Sequence, residues 1–310
     1  MLEIRRYIPE RADEWNAFVS ASKNGTFLFN RRYMDYHSDR FCDHSLMFYR
    51  NGRLYAVLPA NEKEHVFYTH QGLTYGGLVM GQRCSASGII ECFETLNAYL
   101  RNLGVEKVLY KAVPWIYHQL PAEEDLYALT QVCGAHLLIR DISSVVVGHQ
   151  SFSESRKSGV RKALRRGYEV RESDDTDAFW HILDSNLWRT YRLHPVHSAG
   201  ELRLLKDRFP REIRLFMTFD GAKPLGGTLL FITPQVIHTQ YISADEEGKA
   251  NGAIDLLFDQ LIHKEFTSCR YIDFGKSTST DSAVLNSKLI FQKEGFGGRA
   301  VCYDTYEWDL

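Results

Sequence analysis

The second half of this sequence repeats, in order, the strand, turn and helix patterns of its first half, and that repetition limits the possible folds more than any other feature. SLMFYRNGRLYAVLPA (45–60) has strand composition on both sides of Asn51-Gly52, a pair that tolerates the positive φ of a tight hairpin turn. The extended run HVFYTHQ, a glycine-rich segment over 72–81, a helical pattern over 87–102 and the strand KVLYKAV follow. From Ile213 the order returns as IRLFMTF, a turn at Asp220-Gly221, LGGTLLFI, a turn at Pro234, VIHTQYIS, a glycine-containing loop, a helix over 252–266 and RYIDFG. Gly52 and Gly221 stand 169 positions apart, Gly88 and Gly252 164, and Val108 and Tyr271 163. Offsets this similar predict an internal duplication. The expected fold class is α/β, with two tandem domains over 1–150 and 151–310, each a mixed twisted sheet flanked by helices. With 310 residues, 44% of them hydrophobic, the chain has apolar material for two cores of ordinary size.

Charge argues against a general affinity for nucleic acid, because 37 basic residues face 39 acidic ones. Phosphate binding then has to be local, and one segment concentrates positive charge. In SFSESRKSGVRKALRRGYEVRES, between the two copies, Arg156, Lys157, Arg161, Lys162, Arg165 and Arg166 lie on a stretch expected to be helical, with Gly167 as its cap. It reads either as a solvated connecting helix or as a clamp for phosphate oxygens, which guanidinium groups hold bidentately. The opening MLEIRRYIPERADEW is charged, and no run approaches the roughly 18 apolar residues of a membrane span. A cytoplasmic location without membrane insertion is expected. The six cysteines are scattered, without CxxC pairs or zinc spacing, so they read as reduced thiols and no metal is expected.

The chemistry is expected in the second copy. In VIHTQYISADEEGKANGAIDLLFDQLIHKEF a strand runs into a polar loop and then an amphipathic helix, whose first amides lack partners within the helix. Such a start can hold a diphosphate, and Gly248 and Gly252 allow the backbone close approach. The order hairpin, strand, phosphate-type loop, helix, strand, and a last helix ending in FQKEGFGG resembles the GNAT superfamily of acyl-CoA N-acyltransferases. SRKSGVRKALRRGYEV, RYIDFGKS and LIFQKEGFGG further resemble tandem GNAT proteins of the Fem type and related cell-envelope acyltransferases. The likeness covers 151–310 by motif and the first half by layout alone. The first domain is accordingly expected to be degenerate, and the bulky run His70-Gln71-Gly72-Leu73-Thr74-Tyr75 hints at a blocked pocket there.

The resemblance implies transfer of an acyl group, acetyl in the simplest case, from acyl-CoA (acetyl-CoA) to an amine or hydroxyl of a small molecule or of a cell-envelope saccharide or peptide precursor. Donor contacts would come from Ile242, Ser243, Gly248, Lys249, Asn251, Gly252 and Ala253. Attack on a thioester needs positioning, a proton acceptor and N–H donors at the developing oxyanion, which this superfamily supplies from a bulged strand edge. Candidates for proton transfer are Tyr241, His194, His197 and Asp273, with His238 also in view. Arg189, Gln240, Asn286 and Lys293 are candidate substrate contacts.

Two departures stand out. Phe291 occupies the position where the superfamily usually has a tyrosine that protonates the leaving thiolate, leaving the phenol of Tyr241 as a replacement. The loop opens with Asp245-Glu246-Glu247 where the superfamily has Arg or Gln. Fem-type enzymes of the aminoacyl-tRNA class often carry a coiled-coil arm; no sustained heptads occur here, which favours a thioester donor. Aminoacyl-tRNA, supported by the basic segment, remains the alternative donor. A catalytically silent binding protein of the same fold, supported by Phe291, is the alternative of another class.

Overall fold

The computed structural model describes residues 2–148, 150–279 and 284–310. Its strands are β1 (Leu2–Arg6), β2 (Leu46–Arg50), β3 (Arg53–Leu58), β4 (Asn61–Lys63), β5 (Val66–Tyr68), β6 (Val79–Met80) and β7 (Lys107–Lys111). They continue as β8 (His136–Val147), β9 (Glu169–Glu172), β10 (Ile213–Asp220), β11 (Lys223–Ile232), β12 (Val236–Ala244), β13 (Tyr271–Lys276) and β14 (Arg299–Asp309). The α-helices are α1 (Ala12–Ala21), α2 (Arg31–Met34), α3 (Ala86–Asn102), α4 (Glu124–Gln131) and α5 (Glu154–Arg165). After them come α6 (Thr176–Tyr191), α7 (Ala199–Arg208), α8 (Glu246–Asn251), α9 (Ala253–Gln260) and α10 (Ser287–Gly295). The chain divides into two compact units, Met1–Asp141 with Cys302–Leu310, and Ile142–Val301. Residues 142–150 and 302–310 therefore change sides relative to the division expected at 150/151.

In the first unit β1, β2, β3 and β6 form an antiparallel sheet, and the order β4-β5-β7-β14 forms a mixed one in which β5 and β7 run parallel. Asn51 (φ 51°) and Gly52 (φ 76°) make the β2–β3 turn, both in the left-handed region that a two-residue hairpin of this hand requires. Helix α3 buries Ile89, Cys92, Phe93, Leu96 and Leu100 at the three- and four-residue spacing of one face. They join Leu46, Phe48, Phe67 and Tyr110 in one core, closed by Trp308 of β14. Burying that indole is what draws the end of the chain into this unit.

In the second unit the order is β8-β13-β12-β11-β10-β9, antiparallel except where β12 and β13 run parallel. Its core gathers Leu257, Phe258, Leu261 and Ile262 against Leu230, Ile237, Ile272 and Phe274. The basic segment is helical as expected, and Gly167 (φ 75°) follows its C-cap.

Two expectations change. Residues 246–251, expected as a loop, form α8, because Asp245 caps it by accepting from the Gly248 amide at 2.7 Å. The helix expected over 252–266 is α9, continued by a π-helical turn over Leu261–Glu265.

Glycine at 252 is dictated by packing. Its φ is +80°, and a Cβ there would overlap the carbonyl of Gly159, so α5 and α9 touch backbone to backbone. Arg156 of α5 reinforces the crossing by donating to Asp255 at 2.7 Å. Gly252→Ala should destabilise the protein by roughly 2–4 kcal/mol, from left-handed strain plus overpacking. Urea denaturation measures it, and a loss below about 0.5 kcal/mol would contradict the packing account.

Candidate active site

Strands β12 and β13 pair for only three residues, Val236–His238 with Tyr271–Asp273, and then part. Each strand bulges at the parting. On β12 the register with β11 steps from Leu230↔Thr239 to Leu229↔Tyr241, leaving Gln240 as the extra residue. On β13 the register with β8 shifts between Asp273 and Lys276, and Gly275 there has φ +72°. Beyond His238, the described residues of β12 are paired with β11 alone. The result is a strand edge opened by a bulge.

The last paired residues bring together groups that lie 35 positions apart in sequence. His238 Nδ1 lies 2.9 Å from Asp273 Oδ2. Asp273 is fully buried, and its other oxygen accepts from the Gly275 amide at 2.9 Å and from the Ser143 hydroxyl. A carboxylate accepting at Nδ1 fixes the imidazole as the Nδ1–H tautomer, so the ring's basic lone pair is on Nε2.

Lys293, on α10, is buried with its ammonium donating to the carbonyls of Gly275 and Lys276 at 2.8 Å each. Burial pulls its pKa down to about 8, with Asp273 opposing the shift. Three oxygens around the parting, Thr239 Oγ1, Gln240 Oε1 and Ser277 Oγ, are buried without a partner among the described residues. Each such atom costs roughly 1–3 kcal/mol when unsatisfied, so a polar ligand or solvent entering the gap gains by meeting them.

The structure sorts the candidates taken from the sequence. Asp273 and Lys293 belong to this cluster, and His197 meets Tyr241 in a second pair, Nδ1 to Oη 2.7 Å. Burial pushes the Tyr241 phenol up to about 12, so it keeps its proton at neutral pH. His194 is on the surface, 2.6 Å from Asp184 and stacked on Trp188. Asn286 caps α10 by accepting from the Leu289 amide at 3.1 Å. Arg189 is exposed, ion-paired with Glu246 and donating to Asn186 at 3.2 Å. Phe291 is 71% exposed and takes no part in the cluster.

The expected donor contacts are engaged within the fold. Asn186 donates to Ser243 Oγ and to the Ala244 carbonyl, both at 2.6 Å, and accepts from Lys249 Nζ at 2.6 Å. Burial and the neighbouring Arg189 hold the Lys249 pKa below its ordinary value. Asn251 donates to the Glu247 carbonyl at 2.9 Å, and the Ala253 carbonyl accepts from Thr218 at 3.0 Å. Ile242 lies half-buried opposite Thr228. With Gly248 capped by Asp245, Glu246 and Glu247 in the first turn, and Gly252 against Gly159, the start of α8 and α9 presents carboxylates where a diphosphate cradle was expected.

No local sequence signal marks Ser143 or Asn186, and His238 is one histidine among several candidates until Asp273 is seen opposite it. Ser143 sits in a valine-rich strand, and only the β8–β13 pairing aims it at Asp273. No group of three or more His, Cys, Asp or Glu able to hold a metal occurs among the described residues. No helix among them is long and apolar enough to cross a membrane.

Residues 151–281 match the family model described as Acetyltransferase (GNAT) domain. No curated protein matches the chain. Among solved structures, it is similar to FemX, with 12% identity, TM-score 0.70, covering 99% of this chain and 97% of that one. It is similar to L-PGS from Bacillus licheniformis, with 11% identity, TM-score 0.62, covering 97% and 92%. It is also similar to a tandem GNAT protein from the clavulanic acid biosynthesis pathway, solved without AcCoA, with 13% identity, TM-score 0.55, covering 100% and 98%.

The buried ammonium makes a checkable pH signature. Because the folded pKa of Lys293 is about 8 and the unperturbed value 10.5, the unfolded chain holds more protons between those values, and stability attributable to this group rises with pH across that window. Urea melts at pH 8 and pH 10 should show wild type gaining on Lys293→Met over the interval. A constant difference would contradict the depressed pKa.

Proposed function

We propose, from the premise that the chain belongs to the GNAT superfamily as a tandem Fem-like N-acyltransferase, that it transfers an acyl group at the parting of β12 and β13 and takes that group from an aminoacyl-tRNA. His238 Nε2 accepts the proton of the attacking amine or hydroxyl and passes it to the ribose oxygen of the tRNA, which leaves as its ester bond breaks and the new acyl bond forms, while Asp273 holds the imidazole in the needed tautomer and steadies its charge. The Lys293 ammonium lies next to the carbonyls at the same gap and supplies positive charge for the developing oxyanion. Asp273, with Ser143 behind it, is a positioning residue. The transfer centre then lies within Ile142–Val301, and the first domain takes no part in the chemistry.

The observation that carries the choice of donor is the start of α8. A CoA diphosphate placed there would meet Glu246 and Glu247, which are already ion-paired with Arg189 and Lys223, and a cradle amide at Gly248 that is already used by Asp245. A tRNA needs no such cradle, because its backbone is held by surface cations. Arg165 and Arg166 at the end of α5 are exposed, and Arg166 lies near enough to Glu247 to help lower its pKa. The Fem-type resemblance supports the same donor, and with it an amine or hydroxyl of a cell-envelope saccharide or peptide precursor as acceptor, in the cytoplasm.

A second reading keeps acyl-CoA as donor. The order of elements and the open bulged edge of β12 favour it, as does the likeness to the tandem GNAT protein.

The deciding experiment follows the donor bond. With charged tRNA, loss of the aminoacyl ester should be accelerated, should fall steeply with salt, and should drop about 10²–10⁴-fold in His238→Ala. Its alkaline limb near pH 8 should move upward in Lys293→Arg. Consumption of acetyl-CoA thioester with no effect on charged tRNA would overturn the donor; consumption of neither, across amine acceptors, would overturn the assignment of activity to this centre.

A further inference from the structure

We propose that the second unit binds a free α-amino acid with an apolar side chain, in a cavity between α5 and the π-helical turn that continues α9. This inference goes beyond acyl transfer and does not rest on it. The cavity has a volume of about 350 Å³, and Phe152, Lys157, Val160, Arg161, Asp259 and His263 line it. None of these belongs to the cluster at the parting of β12 and β13. The volume is at the small end of the roughly 300–1,000 Å³ usual for small-molecule sites, which suits a ligand of amino-acid size.

Its two walls carry opposite charge. Lys157 and Arg161, one helical turn apart on α5, share a face and converge on a single carboxylate, that of Glu154, at 3.1 and 3.8 Å. Glu154 is exposed, so water and salt weaken both pairs. A ligand carboxylate in the cavity meets the same two cations. On the other wall Asp259 Oδ1 lies 3.1 Å from His263 Nδ1, and Asp259 Oδ2 has no partner among the described residues. His263 Nε2 faces the Gln150 carbonyl at 3.4 Å, so the ring is held at both nitrogens and steadies the carboxylate beside it.

A cationic wall and a carboxylate around one small cavity select a zwitterion. A plain carboxylate leaves Asp259 Oδ2 unmatched, a plain amine leaves Lys157 and Arg161 to Glu154, and a phosphate ester brings up to two negative charges towards Asp259. Between the walls, Phe152 is buried with its ring 5.0 Å from that of His263, and Val160 packs against the core. They give an aliphatic or aromatic side chain an apolar floor. The π-helical turn over Leu261–Glu265 is closed by the Phe266 amide donating to the Leu261 carbonyl at 2.9 Å, and it widens the helix where His263 meets Phe152. Turns of this kind recur where a helix is shaped for binding.

Calorimetric titration of the full chain with L-leucine and L-phenylalanine tests the proposal. At least one should bind saturably, one per chain. Its amide, which lacks the carboxylate, and its N-acetyl derivative, which lacks the ammonium, should each bind at least about tenfold more weakly. Asp259→Asn should remove the preference over the N-acetyl derivative, and Lys157→Gln/Arg161→Gln the preference over the amide. The three side chains are on the surface or half-buried, so folding should be intact, checked by circular dichroism. His238→Ala should bind the amino acid as the wild type does, so failure of this site and failure of the transfer reading appear in separate measurements. Absence of saturable binding of both amino acids, equal affinity for a singly charged derivative, unaffected cavity variants, or loss of binding in His238→Ala would each overturn it.

Discussion

The parallel pairing of β12 with β13 lasts three residues, and its early end is the constraint on which the second unit's chemistry depends. A parallel pair that continued would have satisfied both strands' backbone groups and left no gap. Here a bulge at Gln240 on one strand and a register shift with a left-handed Gly275 on the other turn the strands apart just beyond His238 and Asp273. The opening is held in place by charge. Asp273, fully buried, is tolerable only because Gly275, Ser143 and His238 surround it with donors, and Lys293 in turn satisfies the carbonyls that the bulge frees. The bulge, the buried carboxylate and the buried ammonium therefore stand or fall together.

The basic helix between the copies is less available than its sequence suggests. Arg156 is used against Asp255, Lys157 and Arg161 against Glu154 and Lys162 against the Ala250 carbonyl, so four of its six cations serve the crossing with α8 and α9 or their own helix. The crossing is tight because two glycines face each other, Gly159 and Gly252, each leaving no room for a Cβ. Glycine near a helix start has two physical uses, to let a phosphate approach and to let another backbone approach. In this chain the second use governs Gly252, which explains how a glycine-bearing loop can carry the composition of an anion cradle without being one.

Much of the architecture was legible because hairpin turns and helical faces are local. Asn51-Gly52, the face of α3 and the glycine ending α5 were read from short windows of sequence, and they stand where expected. The site was legible only in part, because it is assembled by register. Nothing near His238 in sequence says that Asp273 lies opposite, and Ser143 is 130 positions from the carboxylate it serves. The acidic loop is visible in the sequence as a departure, yet the consequence that Asp245 caps α8 and uses the Gly248 amide follows from helix geometry rather than composition. The boundary at 150/151 missed the last strand, because Trp308 reaches its core through a strand pairing across nearly 200 residues, between β14 and β7.

The two copies differ in charge at one corresponding place, the turn from a strand (β6 or β12) into the helix that follows it. In the first it reads GQRCSASG, with a basic side chain and a serine cap; in the second it reads ADEEGKANG, with an aspartate cap and two further carboxylates. Both sequences end the strand and start a helix equally well, since serine and aspartate are comparable N-caps. The second turn's carboxylates are spent on ion pairs, Glu246 with Arg189 and Glu247 with Lys223, whereas the first turn of α3 carries none. Folding alone does not require that difference.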